Sequence, residues 1–196
     1  MPDMSRVSCY HAARSACTKI AAPARLSRYA LGGVLGALCT WGLLRVMGLT
    51  LNLSGSMPVG LYAIMQQPLQ VGQIVAVCLP PTVAQFGRAR GYLTAGPCAS
   101  GAQAVLKFVA AVAGTVVDVQ PEGLSINGRP VAHSEVLARD SHARELPHMP
   151  WGAYTLAAGE LWLLSTYDPR SWDSRYYGPV PITAVIATAR PVLVLP

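Results

Sequence analysis

Charge is scarce in this chain. Only 12% of its 196 residues are Asp, Glu, Lys or Arg, against roughly 25% in ordinary soluble proteins. Hydrophobic residues make up 52%, and the mean hydropathy is +0.37. Such a composition excludes a disordered chain and requires a membrane element or a dry β core. Lysine is scarcer still, with Lys19 and Lys107 the only two. Neither a Cys-x-x-Cys pair nor a His-x-x-x-His pair occurs, and His133, His142 and His148 lie in a polar stretch. No metal and no cofactor are therefore expected. A basic face with interleaved aromatics is also missing, which argues against a nucleic-acid partner. Of the net charge of +6, residues 1–28 hold +4, with Arg6, Arg14, Lys19, Arg25 and Arg28 set against Asp3.

Beyond that basic end the chain turns apolar. From Tyr29 to Leu44 no residue is charged. At about 1.5 Å per residue this run covers about 24 Å, and continuing to Leu51 with Arg45 snorkelling would span a ~30 Å hydrocarbon core. No small-residue cleavage pattern occurs between Arg45 and Ser54, and Leu38 before Cys39 disfavours a lipoprotein-type cut. The expected organisation is a basic cytoplasmic tail over 1–28, a transmembrane anchor over 29–51 and a periplasmic domain over 52–196. Basic residues stay on the cytoplasmic side, which gives a single-pass protein of a bacterial inner membrane. Cys9, Cys17 and Cys39 fall in the tail or the apolar run. Cys78 and Cys98 fall in the exported part, either as a disulfide closing a loop of about twenty residues, worth about 3 kcal/mol, or as two small core residues.

Residues 52–196 read as short strands with turn punctuation. Strands are expected over 61–65, 74–78, 105–112, 115–119, 124–126, 154–156, 161–164 and 182–195, with Asn127-Gly128 as a hairpin turn. The stretch 80–104 reads as an inserted loop, and 132–150 as a polar surface excursion.

Three segments carry possible chemistry. Lys107 stands inside the apolar strand Val105-Leu106-Lys107-Phe108-Val109. A buried ammonium there is unfavourable unless neutral or partnered, and bringing its pKa from about 10.4 to near 7.4 costs about 4 kcal/mol. A neutral lysine can serve as a general base, whereas arginine could not; a strand-end lysine reaching water is the plain alternative. The segment Asn52-Leu53-Ser54-Gly55-Ser56-Met57-Pro58 flanks a glycine with two hydroxyls, as a nucleophile box or simply a linker. The segment Asp168-Pro-Arg-Ser171-Trp-Asp173-Ser-Arg175 alternates charges and aromatics, as a salt-bridged loop would.

Together and in this order, the three segments resemble the signal peptidase I clan of serine peptidases. That resemblance implies a mainly β, barrel-like catalytic domain preceded by one transmembrane helix. It implies Ser56 as nucleophile and Lys107 as its general base. Ser54 and the Ser56 backbone N–H would form the oxyanion hole, Ser171 would orient the lysine, and Asp173 with Arg175 would make a supporting ion pair, with Asp168 nearby. The compact size, the Ser-Met-Pro-x-Gly-Leu-Tyr wording and the Cys78 to Cys98 insertion are most similar to the conjugative-transfer branch of the clan. Membrane-embedded pilin precursor is then the implied substrate, cut and possibly cyclised through an acyl-enzyme, with other mating-pair-formation proteins as neighbours. Gly72-Gln73, Gly114-Thr115 and Phe108 depart from the housekeeping pattern. Housekeeping signal peptidase I and a non-catalytic component of a conjugative secretion channel are the alternatives. A Ser-His-Asp hydrolase lacks a Gly-x-Ser-x-Gly elbow, and a Ser-x-x-Lys arrangement is absent.

Overall fold

A computed structural model describes residues 24–195. The expectations for Cys9, Cys17, Lys19 and most of the basic tail lie outside these residues. The chain divides between Trp41 and Gly42 into two compact units. Helix α1, Ala24–Val46, covers the apolar run, which contains no proline to interrupt it. Its large side chains are exposed on several sides: Leu31 by 62%, Val34 by 56%, Leu38 by 60% and Leu43 by 60%. Among the described residues no helix is long and apolar enough to cross a membrane. Four glycines, Thr40 and Arg45 dilute the apolar character of α1. The segment 29–51 is also not one helix, because α1 stops at Val46 and β1, Leu49–Asn52, pairs with β2, Gly60–Met65.

The rest is mainly β, as expected. Further strands are β3 Ile74–Val77, β4 Val105–Val112, β5 Val116–Gln120, β6 Gly123–Ile126, β7 Arg129–Pro130, β8 Gly152–Thr155, β9 Glu160–Leu164, β10 Val180–Pro181 and β11 Val185–Val194. They form a seven-stranded antiparallel sheet, ordered β1-β2-β11-β3-β4-β9-β10, and a four-stranded one, ordered β7-β6-β5-β8. Asn127 and Gly128 both take positive φ, and make the tight turn between β6 and β7. Strand β9 is buried on both faces. Leu161 and Leu163 enter one core cluster with Val75, Val77 and Val109, while Trp162 and Leu164 enter another with Val117, Val119 and Leu124. Strands covered on both faces read as continuous apolar runs, which is why the segment 161–164 stands out in the sequence.

Two segments differ from expectation. The inserted stretch 80–104 contains a helix, α2 Pro81–Ala89, started by a proline in its first turn. Its buried residues are only Ala84 and Gly87, so it lacks the broad apolar stripe that would announce it. Cys78 and Cys98 form a disulfide across a 20-residue separation, closing this insertion. The excursion 132–150 is tied down rather than loose. Asp140 accepts from the Tyr92 hydroxyl at 2.6 Å and from Arg144 Nε at 2.7 Å, and Arg90 Nη1 lies 3.7 Å away, so the excursion is bound to the insertion.

Candidate active site

Lys107 sits in β4 on the same face as Val109, opposite Val75 of β3, and is only 3% exposed. Strand alternation forces this side chain inward. The lysine does not reach water at a strand end. Instead, its Nζ donates to Ser171 Oγ at 2.7 Å. Burial lowers its pKa to about 8; the Asp173 and Asp168 carboxylates oppose that drop and the Arg175 guanidinium adds to it.

Ser171 is fixed by its own surroundings. Its N–H donates to the Asp168 carbonyl at 2.9 Å, and its carbonyl accepts from Arg175 Nη2 at 2.9 Å. Arg175 and Asp173 form a two-pronged ion pair, Nε to Oδ1 at 2.8 Å and Nη2 to Oδ2 at 2.9 Å, with both side chains wholly buried. Asp173 also caps the short helix α3, Ser174–Tyr177, by accepting from the Arg175 backbone N–H. Trp172, between Ser171 and Asp173, stacks on Phe86 of α2 at 5.9 Å and meets Tyr92 at 5.3 Å and Tyr177 at 5.0 Å. The insertion therefore packs against the loop that holds the partner of Lys107.

The two-hydroxyl box leaves β1 and enters β2. Ser54 Oγ lies 3.3 Å from Ser56 Oγ. Met57 is wholly buried with Tyr62, whose hydroxyl donates to the Pro58 carbonyl at 2.8 Å. At Gly60, a Cβ would collide with the Leu193 carbonyl of β11, and φ is +157°, so the segment can pass into the sheet there only as glycine. Among the described residues no backbone acceptor takes the Ser56 N–H. A cleft of about 370 Å³ opens beside the box, lined by Met57, Pro58, Tyr62, Ile74, Phe108 and Pro191 among others.

Two residues not expected as site members join these pieces. Ser165, at the end of β9, donates its hydroxyl to the Ser56 carbonyl, while its N–H donates to Asp173 Oδ2 at 3.1 Å. Asn52, 8% exposed, turns its whole amide onto the box. Since β9 pairs with β4, with Leu164 opposite Phe108, the Ser56 loop is attached to the strand next to the one bearing Lys107. Nothing local in the sequence marks either residue.

The expected residues thus fall into one connected network, which Asp168 joins through its carbonyl rather than its carboxylate. Asp168 lies beside Gly55 but pairs with Arg170 at 3.1 Å, on the surface. That hydrogen bond holds its carboxyl below the ordinary range against the opposing effect of burial. Lys107 bonds to Ser171 rather than to Ser56. His148 stacks on Trp151 and contacts the Met149 carbonyl, while His142 contacts Ser141.

Comparison with known proteins shows the family of the chain. The family described as signal peptidase, peptidase S26, matches residues 32–194. Plasmid transfer protein TraF of Escherichia coli is 36% identical over 171 residues, covering 86% of this chain and 96% of that one. Conjugal transfer protein TraF of Agrobacterium tumefaciens (strain 15955) is 39% identical over 149 residues, covering 74% of this chain and 82% of that one. A solved signal peptidase I from Enterococcus faecalis V583 is 21% identical over 67% of this chain and 99% of that one, at a TM-score of 0.37, too low to bear on the argument.

Proposed function

Because the chain belongs to the signal peptidase family, peptidase S26, we propose that it is a serine endopeptidase working through Ser56 and Lys107 on a conjugative pilin precursor. The observation that carries the reading is the buried Lys107 ammonium, hydrogen-bonded to a serine hydroxyl with its pKa brought to about 8. A lysine near neutrality is a competent base at physiological pH.

In this reading the Ser56 hydroxyl attacks the scissile carbonyl and neutral Lys107 takes its proton. The Ser56 N–H and the Ser54 hydroxyl meet the developing oxyanion. Lys107 then returns the proton to the departing amine, leaving an ester on Ser56. Water resolves that ester to a trimmed product; the precursor's own amino terminus would instead resolve it to a ring. Ser171 orients the lysine, and the Asp173–Arg175 pair keeps Ser171 in place. The relatives' names speak of plasmid and conjugal transfer, which supports a pilin precursor as substrate. The many exposed apolar side chains of α1, behind a basic tail, support attachment to a bacterial inner membrane with the peptidase domain in the periplasm.

The test is processing of candidate pilin precursor in cells carrying the wild type, Ser56→Ala or Lys107→Arg, read by mass spectrometry. Trimmed product with the wild type alone is expected, and a product one water lighter than its linear form identifies ring closure. Normal processing by both variants would leave a non-catalytic channel component as the better reading.

A further inference from the structure

The amide of Asn52 spends every donor and acceptor on one seven-residue segment. Its Nδ2 donates to the carbonyls of Ser54 at 3.1 Å, Met57 at 3.2 Å and Pro58 at 3.0 Å. Its Oδ1 accepts from the Ser54 N–H at 3.3 Å and from the Ser54 hydroxyl at 2.9 Å. A buried amide so occupied has its orientation fixed, since flipping it would set two N–H donors against the Ser54 N–H and oxygen against three carbonyls.

That orientation decides the sense of the neighbouring contact. A hydroxyl has one proton, and the Ser54 proton goes to Asn52 Oδ1. The Ser54 oxygen therefore faces Ser56 Oγ, 3.3 Å away, as an acceptor. We propose that Asn52 is a positioning residue for the reaction at Ser56: it holds the Ser54 hydroxyl as an acceptor toward Ser56 in the resting site. When charge develops on a carbonyl oxygen, the Ser54 O–H rotates from Asn52 Oδ1 to that oxygen. The rotation transfers no proton between heavy atoms, and Asn52 stays anchored by the three carbonyls. This rests on the peptidase reading above.

The experiment uses the full chain, with the substrate defined as the membrane precursor that accumulates in Ser56→Ala cells and is cleaved by purified wild type in detergent. If no precursor accumulates, the peptidase reading fails and this inference falls with it. If one does, kcat and KM are measured for Asn52→Ala, Ser54→Ala and the double variant. Asn52→Ala is expected to lower kcat by about tenfold to a hundredfold, less than the roughly hundredfold to thousandfold of a lost oxyanion-site donor because the Ser54 hydroxyl itself remains, with KM little changed. Because Asn52 acts through the Ser54 hydroxyl, the double variant should be no more than about threefold worse than Ser54→Ala, the signature of coupled residues. Multiplicative losses, or wild-type kcat in Asn52→Ala, would overturn the proposal. Should Asn52→Ala not fold, Asn52→Asp serves instead. Its ionised carboxylate faces three carbonyls, so the ratio of its kcat to that of the wild type at the same pH should rise as pH falls and that group protonates; a ratio unchanged by pH would count against the assignment.

Discussion

Two Asp–Arg pairs in this protein have nearly the same contact distances and different surroundings. Asp173 and Arg175 are both fully buried, at 2.8 Å, while Asp140 and Arg144 meet at 2.7 Å with the carboxylate 5% and the arginine 37% exposed. At the surface, the pair joins two excursions, helped by the Tyr92 hydroxyl and by Arg90. Burial alone would raise the Asp140 pKa, but hydrogen bonds from Tyr92, Arg144 and the His142 N–H hold it well below the usual carboxylate range. Inside, the pair ties the Ser171 and Glu135 carbonyls and the Ser165 N–H to one point. Desolvating two charges costs several kcal/mol per ion, so a buried pair adds little net stability. What distinguishes it is what it fixes: the carbonyl of the residue that holds Lys107.

Breaking the inner pair is therefore the largest expected effect. Arg175→Met leaves the Asp173 carboxylate buried and unpaired, and should cost about 3–5 kcal/mol by denaturant unfolding, with processing abolished. A loss under about 1 kcal/mol, the scale of a surface pair, would mean the two pairs are equivalent. Next comes the disulfide, which bears on both regions because the insertion contacts Trp172 and Asp140. The double variant Cys78→Ala/Cys98→Ala should lose about 3 kcal/mol in the chain-entropy picture, measured by thermal unfolding without reductant.

Lys107 sharpens the comparison as a buried charge with no carboxylate in direct contact. Its folded pKa of about 8 lies below the ordinary 10.5. Between those values the unfolded chain binds more protons, so stability rises with pH through this window, and the penalty is fully present below it. Lys107→Met should remove that pH dependence and raise stability at pH 7 by up to about 3 kcal/mol, while eliminating activity; denaturant curves at pH 7 and 10 on both proteins measure it. In the wild type, kcat/KM should climb as pH passes about 8 from below. The smallest effect belongs to the outer pair. Asp140→Asn should lower the melting temperature by less than any of these changes, and by less again in high salt, which screens exposed charges.

Much of this is legible in the sequence. Strand β4 can be read over its full length, because Lys107 alone interrupts an otherwise continuous apolar run bounded by Gln103 and Gly114. The Ser54 to Pro58 box and the segment from Asp168 to Gly178 stand out by composition and order. Strand β1 does not, since Leu49, Thr50 and Leu51 read as a continuation of the apolar run before them. Helix α2 is hidden by Pro80-Pro81 and by burying only an alanine and a glycine. The links supplied by Asn52 and Ser165 have no local signature. Ser165 reaches a carbonyl 109 residues away, a relation that only the sheet order creates.

That sheet order has a consequence for when the enzyme can exist. Strand β11 is C-terminal to every other strand, yet it lies between β2 and β3, inside the seven-stranded sheet. The box is continuous with β2, and Lys107 is reached from β3 through β4, so the two halves of the site are neighbours in the sheet only after β11 has inserted. A chain emerging from a ribosome presents the Ser56 box early but has no completed sheet to hold it until residues 185–194 arrive. Contacts spanning such separations form late in folding. The sheet that carries both the box and Lys107 is thus closed by the last of its strands to be made.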